Sequence, residues 1–208
     1  MEVKVFDNYL DNEDFEFLEN LKLKKINKDE MVIYHNKIVG SQVLSKSCLP
    51  DEFLIKINKR YHEDAIKLLE KLFPEKKNLY DFSEFHIIQT GSDYNFPIHD
   101  DTPDKLLSGV VYLSPEKNKG TIFYKDKKGS ERNEIIWKRN RAVFFSRLER
   151  NSWHSFEGDK ISTRIALVYN LKTKNIKGVY KAENKNYIIG YLRFKINPFL
   201  LKYFKITI

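Results

Sequence analysis

The chain has 208 residues, 41% of them hydrophobic and 14% aromatic, which is typical of a globular domain and excludes a disordered protein. No uninterrupted apolar stretch reaches the roughly 18 residues that a membrane-spanning helix needs, and the N-terminus lacks the organisation of a signal peptide. The formal net charge is +8 at pH 7, and the single cysteine, Cys48, excludes an internal disulfide. We therefore expect a cytoplasmic protein.

A short strand and two helices are predicted in the N-terminal part of the chain. The strand covers Val3–Phe6, and the acidic residues that begin at Asp11 open the first helix. The second helix covers Asp51–Leu72 and ends before Pro74, because proline disrupts a continuing helix. The apolar positions of the first helix are Phe15, Leu18 and Leu21. Those of the second helix are Phe53, Ile57, Tyr61, Ala65, Leu68, Leu69 and Leu72.

Short strand-like runs follow, each bounded by Gly, Asn, Asp or Pro. Several short strands separated by turn residues are typical of an antiparallel sandwich or jelly roll. The predicted runs are Phe85–Gln89, Leu107–Leu113, Thr121–Tyr124, Glu134–Trp137, Ala142–Phe145 and Arg164–Asn170. We expect a mainly β fold with flanking helices, built on a double-stranded β-helix (jelly roll) core. In a single domain over 1–208, we assign N-terminal strand and helix support to 1–80, the jelly-roll core to 81–174 and a basic, aromatic extension to 175–208.

Most of the net positive charge lies in the C-terminal extension. From Ile176 to the end, seven Lys and Arg residues face one acidic residue, Glu183. Aromatic residues interleaved with lysines are compatible with contact to a membrane surface or to RNA. We favour the interpretation that the aromatic side chains dock on the barrel or form a homodimer contact, with the lysines in water.

Two of the five histidines stand in a pattern that indicates a metal site. His99 and Asp101 are two residues apart, and on an extended backbone such side chains point to the same side. Because a His-x-Asp triplet is common by chance, a third ligand from a distant strand is required, and His154 is the best-placed candidate. Two histidines and one carboxylate on one face of a metal are typical of non-haem Fe(II) oxygenases.

Arg164 lies ten residues after His154, inside a strand-like run. A guanidinium inside an apolar barrel is costly unless it meets an anion, and its fork geometry suits a carboxylate. Taken alone, Arg164 would be read as an ordinary exposed strand arginine. Its combination with the three candidate ligands favours a role in binding an anionic cosubstrate.

An ordered series of motifs extends from about Phe85 to Leu171. It comprises Gly91 and Tyr94, His99-x-Asp101, Ser108–Pro115, Lys119–Tyr124, Asn140–Phe145, Trp153–Ser155 and Arg164. In this order the motifs resemble those of the 2-oxoglutarate/Fe(II)-dependent oxygenases, particularly the prolyl-4-hydroxylase-like branch. The resemblance implies that His99, Asp101 and His154 bind Fe(II). It also implies that Arg164 holds the distal carboxylate of 2-oxoglutarate, with O2 as the second cosubstrate.

Two further cosubstrate contacts are implied by the same resemblance. Tyr112 matches a position whose hydroxyl often supports the distal carboxylate, a plain core tyrosine being the alternative. Gln89 stands where relatives often place a tyrosine, so this contact departs from the pattern, although an amide could donate a hydrogen bond. Related nucleic-acid dealkylases carry a second arginine where this chain has Asn170, which disfavours a nucleic-acid partner.

The chemistry that the resemblance implies is a dioxygenase reaction with succinate and CO2 as coproducts. We expect hydroxylation of an unactivated C–H bond in a small molecule, a glycan-related metabolite or a protein side chain. Site architecture does not identify the substrate. The alternative hypothesis is a catalytically inactive jelly-roll module that binds a partner through its basic, aromatic tail.

Overall fold

A computed structural model describes residues 1–45 and 47–204, except for the side chain of Leu201, so the end of the predicted extension, 205–208, lies outside the described residues. The strands are β1 (Val3–Phe6), β2 (Met31–Tyr34), β3 (Lys37–Val39), β4 (Gln42–Ser45), β5 (Phe82–Thr90), β6 (Asn95–His99), β7 (Lys105–Ser114), β8 (Thr121–Phe123), β9 (Asn133–Glu134), β10 (Ala142–Phe145), β11 (His154–Glu157) and β12 (Arg164–Lys172). The helices are α1 (Asn12–Glu19), α2 (Asp51–Leu72), α3 (Ile176–Ala182) and α4 (Tyr187–Phe204), with a 3₁₀ helix at Pro74–Leu79.

The described strands form two antiparallel sheets. The larger sheet has eight strands, in the order β1-β10-β7-β12-β5-β3-β4 with β2 also paired to β5, and the smaller has the order β6-β11-β8-β9. Aromatic side chains join the two sheets: the rings of Phe123 in β8 and Phe145 in β10 meet edge to face at 5.2 Å. The expected jelly-roll class, mainly β with flanking helices, is confirmed.

The outer face of the larger sheet is covered by α2. One side of this helix is apolar at helical spacing, and Leu54, Ile57 and Leu69 are completely buried in the main core. Burying each such side chain stabilises the fold by about 1.5–3 kcal/mol. The helix ends at Leu72, before Pro74, as predicted. The packing of α2 thus fixes the sheet that carries the cavity on its other face.

Strand β12 separates the core from the cavity by simple alternation. Ile165, Leu167, Tyr169 and Leu171 belong to or pack on the main core. Arg164, Ala166, Val168 and Asn170 point to the other face and line an internal cavity. Since successive side chains of a strand face opposite sides, the polar ends of this run, Arg164 and Asn170, both point into the barrel.

The predicted strand Glu134–Trp137 was wrong beyond its first residue. The observed strand β9 ends at Glu134, and the side chains of the residues that follow have different surroundings. Ile136 is 74% exposed, whereas Trp137 turns inward and stacks on Tyr112 at 4.4 Å between ring centroids. The helices α3 and α4 and the strands β2–β4, β6 and β11 were not predicted. No helix among the described residues has the length and apolar character needed to cross a membrane.

Candidate metal centre and cosubstrate cavity

His99 and His154 face each other across the smaller sheet. They end β6 and begin β11, are direct partners in the antiparallel register, and have ring centroids 4.2 Å apart. The Nδ1 of His99 is 3.0 Å from the carbonyl oxygen of Pro97, and the Nδ1 of His154 is 2.8 Å from that of Ser152. Because a carbonyl can only accept, each Nδ1 donates, and each Nε2 keeps its lone pair for a metal.

Asp101 completes the group from the loop after β6. Its carboxylate and the two imidazoles offer ligand atoms that all lie within 4.8 Å of one another. Lys105 Nζ donates to Oδ1 at 2.5 Å and Ser108 Oγ to Oδ2 at 2.6 Å, which orients the buried carboxylate. Burial alone would raise the pKa of Asp101, but Lys105 and the two imidazoles hold it well below its usual range. Burial and His154 lower the pKa of His99 to about 3.

Asp100, between the two candidate ligands of the triplet, fastens β6 to the start of β11. Its Oδ2 accepts a hydrogen bond from the backbone N–H of Arg150 at 2.6 Å, and its Oδ1 accepts one from the Ser152 hydroxyl. Ser152 lies two residues before His154, and its carbonyl is the one that His154 Nδ1 contacts. Asp100 therefore couples the position of His99 to that of His154 without being one of the grouped ligands.

A buried ionic network supports the same loop from outside. Arg147 Nε donates to the backbone carbonyl of Asp101 at 3.1 Å, and its guanidinium pairs with Glu183 at 2.7 Å and with Glu149. Lys76 pairs with Glu183 at 2.7 Å, and both side chains are fully buried. The network joins the 3₁₀ helix, the β10–β11 connection and the end of α3, so the C-terminal region is part of the scaffold of the metal centre.

Arg164 lies in an internal cavity of about 180 Å³ that also contacts the three candidate ligands. It is 6% exposed, has no carboxylate partner among the described residues, and its Nε is buried without a hydrogen-bond partner. Aromatic rings surround the guanidinium: those of Phe156, Trp137 and Tyr112 lie 4.4, 5.3 and 5.7 Å from its central carbon. Burial lowers the pKa of Arg164 to about 10, so it remains a cation at neutral pH.

A buried cation without a partner is costly. An anion of the right size in this cavity would remove that cost, and the guanidinium fork is suited to a carboxylate. One cavity is therefore lined both by the three candidate metal ligands and by a cation that is suited to a carboxylate.

Tyr112 stands behind the wall of this cavity. Its hydroxyl donates to Thr121 Oγ1 at 3.0 Å and accepts from the Thr121 backbone N–H at 2.8 Å, so its hydrogen bonds are already used. Its ring stacks on Trp137, and the whole side chain is buried. Thr121 lines the cavity in its place. Tyr112 thus has the surroundings of a plain core tyrosine, the alternative interpretation of this position. A direct contact of its hydroxyl with the cosubstrate does not fit this arrangement.

Gln89 points away from the cavity, which corrects its expected position. Its neighbours in β5, Ile88 and Thr90, line the cavity, and alternation turns Gln89 to the opposite face. There its amide donates to the carbonyl of Lys24 at 3.1 Å and accepts from the Tyr34 hydroxyl at 3.3 Å.

Several cavity residues were missed by the sequence reasoning. Polar ones among the cavity-lining residues are Thr90, Ser108, Thr121, Ser155 and Asn170. Asn170 is 1% exposed, and its Oδ1 has no hydrogen-bond partner among the described residues. Counting in steps of two from Arg164 would have found Asn170, because both lie on one face of the same strand. Ser155 and Thr121 depend on the register of β11 with β8, which no local pattern reveals.

A second cavity of about 320 Å³, which we call the outer cavity, contacts His99 and Asp101 but not His154; the cavity that holds Arg164 is called the inner cavity. It shares Phe96, His99, Asp101 and Lys105 with the inner cavity. Its far wall is formed by α4, through residues that include Arg193 and Phe194. His99 and Asp101 therefore line both the inner cavity, which also contains Arg164, and the outer cavity, which is partly walled by α4.

No family model and no curated protein sequence matches the chain. Solved structures do. An oxidoreductase of the 2OG-Fe(II) oxygenase family from Burkholderia pseudomallei is 14% identical, with a TM-score of 0.57 over 82% of this chain and 84% of that one. A prolyl hydroxylase from Trichoplax adhaerens, solved with a peptide fragment of the hypoxia-inducible factor oxygen degradation domain, is 14% identical, with a TM-score of 0.56 over 85% and 86%.

A third structure, that of IDO from Bacillus thuringiensis, is 11% identical, with a TM-score of 0.58 over 83% of this chain and 90% of that one. Sequence identities this low support a shared fold and nothing beyond it. The agreement nevertheless extends over most of every chain compared. The chain thus has the jelly-roll fold of the 2-oxoglutarate/Fe(II) oxygenases and prolyl hydroxylases.

Proposed function

We propose that this chain is an Fe(II)- and 2-oxoglutarate-dependent dioxygenase that hydroxylates an unactivated C–H bond. The observation that carries the proposal is Arg164, a buried cation without a carboxylate partner among the described residues, in a cavity that is also lined by a His-Asp-His group. A structural role for Arg164 would call for a carboxylate partner, and no described residue supplies one. A dicarboxylic cosubstrate that also chelates the metal explains both features of the cavity.

In this proposal His99, Asp101 and His154 hold Fe(II), and two neutral imidazoles with one carboxylate are a donor set that suits this ion. The ion, with 2-oxoglutarate and O2, supplies oxidative decarboxylation to succinate and CO2 coupled to hydroxylation of the substrate. Lys105 and Ser108 keep the carboxylate of Asp101 turned toward the imidazoles. Arg164 binds the distal carboxylate, and the aromatic rings around it exclude water and strengthen that ion pair.

The substrate enters, in this proposal, through the outer cavity, because the inner cavity is taken by the cosubstrate. Both cavities reach His99 and Asp101, so a C–H bond in the outer one lies beside the metal. Small molecules, glycan-related metabolites and protein side chains are the classes that we propose. The Trichoplax enzyme was solved with a peptide fragment, which supports the inclusion of protein side chains.

The direct test of activity is turnover of 2-oxoglutarate by purified protein supplied with Fe(II), ascorbate and O2. We expect slow formation of succinate even without the substrate, and its loss in His154→Ala. His35→Ala is the matched control, because His35 is exposed and lies outside the ligand group. If the wild type forms no succinate while it binds Fe(II) and 2-oxoglutarate, turnover needs the true substrate, and a metabolite screen for oxygen-dependent mass gain follows. Absence of both binding and turnover would refute the proposal.

A further inference from the structure

The C-terminal helix α4 has two unlike faces. Its inner face is fixed on the body: Gly190 packs so closely on Tyr180 that an added Cβ would lie 2.1 Å from that ring, and Arg193 pairs with Glu149 at 3.3 Å. The pair of Arg193 with Glu149 joins α4 to the β10–β11 connection, and the expected docking of the aromatic side chains on the barrel stays a prediction. The outer face has a different composition and contacts no other described element that would cover it.

The outer face carries an apolar stripe, which we define as Ile188, Leu192, Ile196, Phe199 and Tyr203. Their spacing of three and four residues places them on one side of a helix. Their exposed fractions are 68, 55, 42, 56 and 60%. Soluble proteins rarely expose a contiguous apolar surface of this kind unless it is an interaction site.

Beside the start of the stripe, α3 and the α3–α4 turn form a shallow cleft of about 520 Å³. Lys177, Lys181 and Lys185, which we call the cleft lysines, line it together with Tyr180 and Tyr187. All three lysines are exposed, and none has a carboxylate partner within the part of the chain that the structure describes. No acidic residue lines the cleft, and none follows Glu183 in the sequence.

We propose that the cleft lysines and the apolar stripe together bind the surface of an anionic lipid membrane, with α4 lying in the plane of the interface. An exposed apolar helix face beside a group of unpaired lysines is the combination that interfacial helices use: apolar side chains enter the acyl boundary and lysines meet anionic headgroups. The aromatic members of the stripe suit the interfacial region.

Charge distinguishes this partner from a second copy of the chain. A symmetric dimer through this surface would bring two sets of cleft lysines together with no acidic residue to pair with them, whereas an anionic surface complements them. RNA would complement the charge but not the stripe, because its aliphatic members Ile188, Leu192 and Ile196 cannot stack on bases as aromatic rings do.

The test is sedimentation of the full chain with vesicles of phosphatidylcholine alone or of equimolar phosphatidylcholine and phosphatidylglycerol. We expect binding to the anionic vesicles only, weakened by salt. Replacing all three cleft lysines by glutamate, which reverses their charge, should lower the affinity for anionic vesicles on the order of 100-fold. The reason is that each lysine contributes binding free energy near an anionic surface. The control has the same net charge and reverses three exposed lysines elsewhere, and should bind like the wild type. The control substitutions are Lys22→Glu, Lys59→Glu and Lys117→Glu.

The stripe is tested by Leu192→Ser combined with Phe199→Ser, expected to lower vesicle affinity by roughly 10-fold or more. Ile136→Ser with Ile161→Ser is its control, because these two apolar residues are even more exposed but lie elsewhere. All variants should keep the thermal unfolding midpoint of the wild type. An equal loss of vesicle affinity in a variant and its control, or no preference of the wild type for anionic vesicles, would overturn the proposal. So would a dimer that Leu192→Ser and Phe199→Ser dissociate, or an RNA oligonucleotide that binds where vesicles do not.

Discussion

His154 lies directly opposite His99 in the register of β6 and β11, with the two rings 4.2 Å apart. Burial is the main reason that the pKa of His99 falls to about 3, and the neighbouring imidazole of His154 adds to the effect. A neutral imidazole is the form that binds a metal. The antiparallel pairing therefore does more than bring two ligands together: it helps to hold His99 in its binding form at neutral pH.

Asp100 should be needed for metal affinity although it is not one of the three candidate ligands. Asp100→Ala removes the acceptor that joins β6 to the residues before His154, and we expect Fe(II) affinity to fall about 10- to 100-fold. Asp100→Asn keeps one acceptor oxygen and should recover part of this loss. Competition with a chelator of known affinity gives the measurement.

The control for Asp100 is Asp126→Ala. Asp126 accepts hydrogen bonds from the backbone N–H of Lys128 at 2.8 Å and of Ser130 at 3.3 Å, the same kind of turn in an exposed loop. Fe(II) affinity should be unchanged in this variant. If Asp100→Ala and Asp126→Ala bind Fe(II) equally well, the proposed positioning role of Asp100 is wrong.

Glu183 should be among the most sensitive positions for stability. It is buried between Lys76 and Arg147, and Glu183→Gln leaves two buried cations without their shared anion. We expect a loss of about 3–5 kcal/mol in the free energy of unfolding in urea. Glu63→Gln is the control, since Glu63 forms an exposed helical pair with Lys67, and solvent screening keeps the contribution of such a pair small. A similar small loss in both variants would mean that the network does not support the fold.

Glu84 predicts a dependence of stability on acid. Burial alone would raise the pKa of Glu84, but hydrogen bonds and charge from His86 and Lys172 lower it to about 2. A carboxyl whose folded pKa lies below its ordinary value of 4.5 stabilises the fold above pH 4.5, and this contribution is lost as the pH falls toward 2. The difference in unfolding free energy between wild type and Glu84→Gln should therefore shrink over this range. A difference that stays constant with pH would contradict the argument.

Arg164→Met should stabilise the protein in the absence of cosubstrate. The substitution replaces a buried cation that lacks a partner by an apolar side chain of similar length, and we expect a gain of at least about 1 kcal/mol. Unfolding must be followed in a buffer free of oxoanions, because these would occupy the cavity. In the wild type, 2-oxoglutarate with a divalent metal should raise the unfolding midpoint, and in the variant it should not. A destabilised variant would indicate that Arg164 serves the fold.

The sequence was most informative where spacing carries chemistry. His99, Asp101, His154 and Arg164 were selected by motif order, and the fold brings their side chains to one cavity; their roles stay predictions. Gln89 was misplaced because the face on which a strand residue lies depends on register, and β5 is set by its pairing with β12.

The least predictable part was the C-terminal extension. Its inner face is fixed by Gly190 against Tyr180 of α3 and by the pair between Arg193 and Glu149, the second of which joins residues 44 positions apart in sequence. Composition alone could not separate the docked face from the exposed one. Composition also could not predict that Glu183 pairs with Lys76 in a buried network, because the charge of Lys76 alone would assign that residue to the surface.

Anaerobic calorimetric titration of 2-oxoglutarate tests the central claim most directly. We predict binding at one site per chain that requires Fe(II), is unchanged in His35→Ala, and is weakened by about 2–5 kcal/mol in Arg164→Met. The claim is that one cavity joins a His99/Asp101/His154 metal site to a carboxylate-binding arginine. Absence of binding in the presence of Fe(II), or equal affinity of the wild type and Arg164→Met, would contradict it.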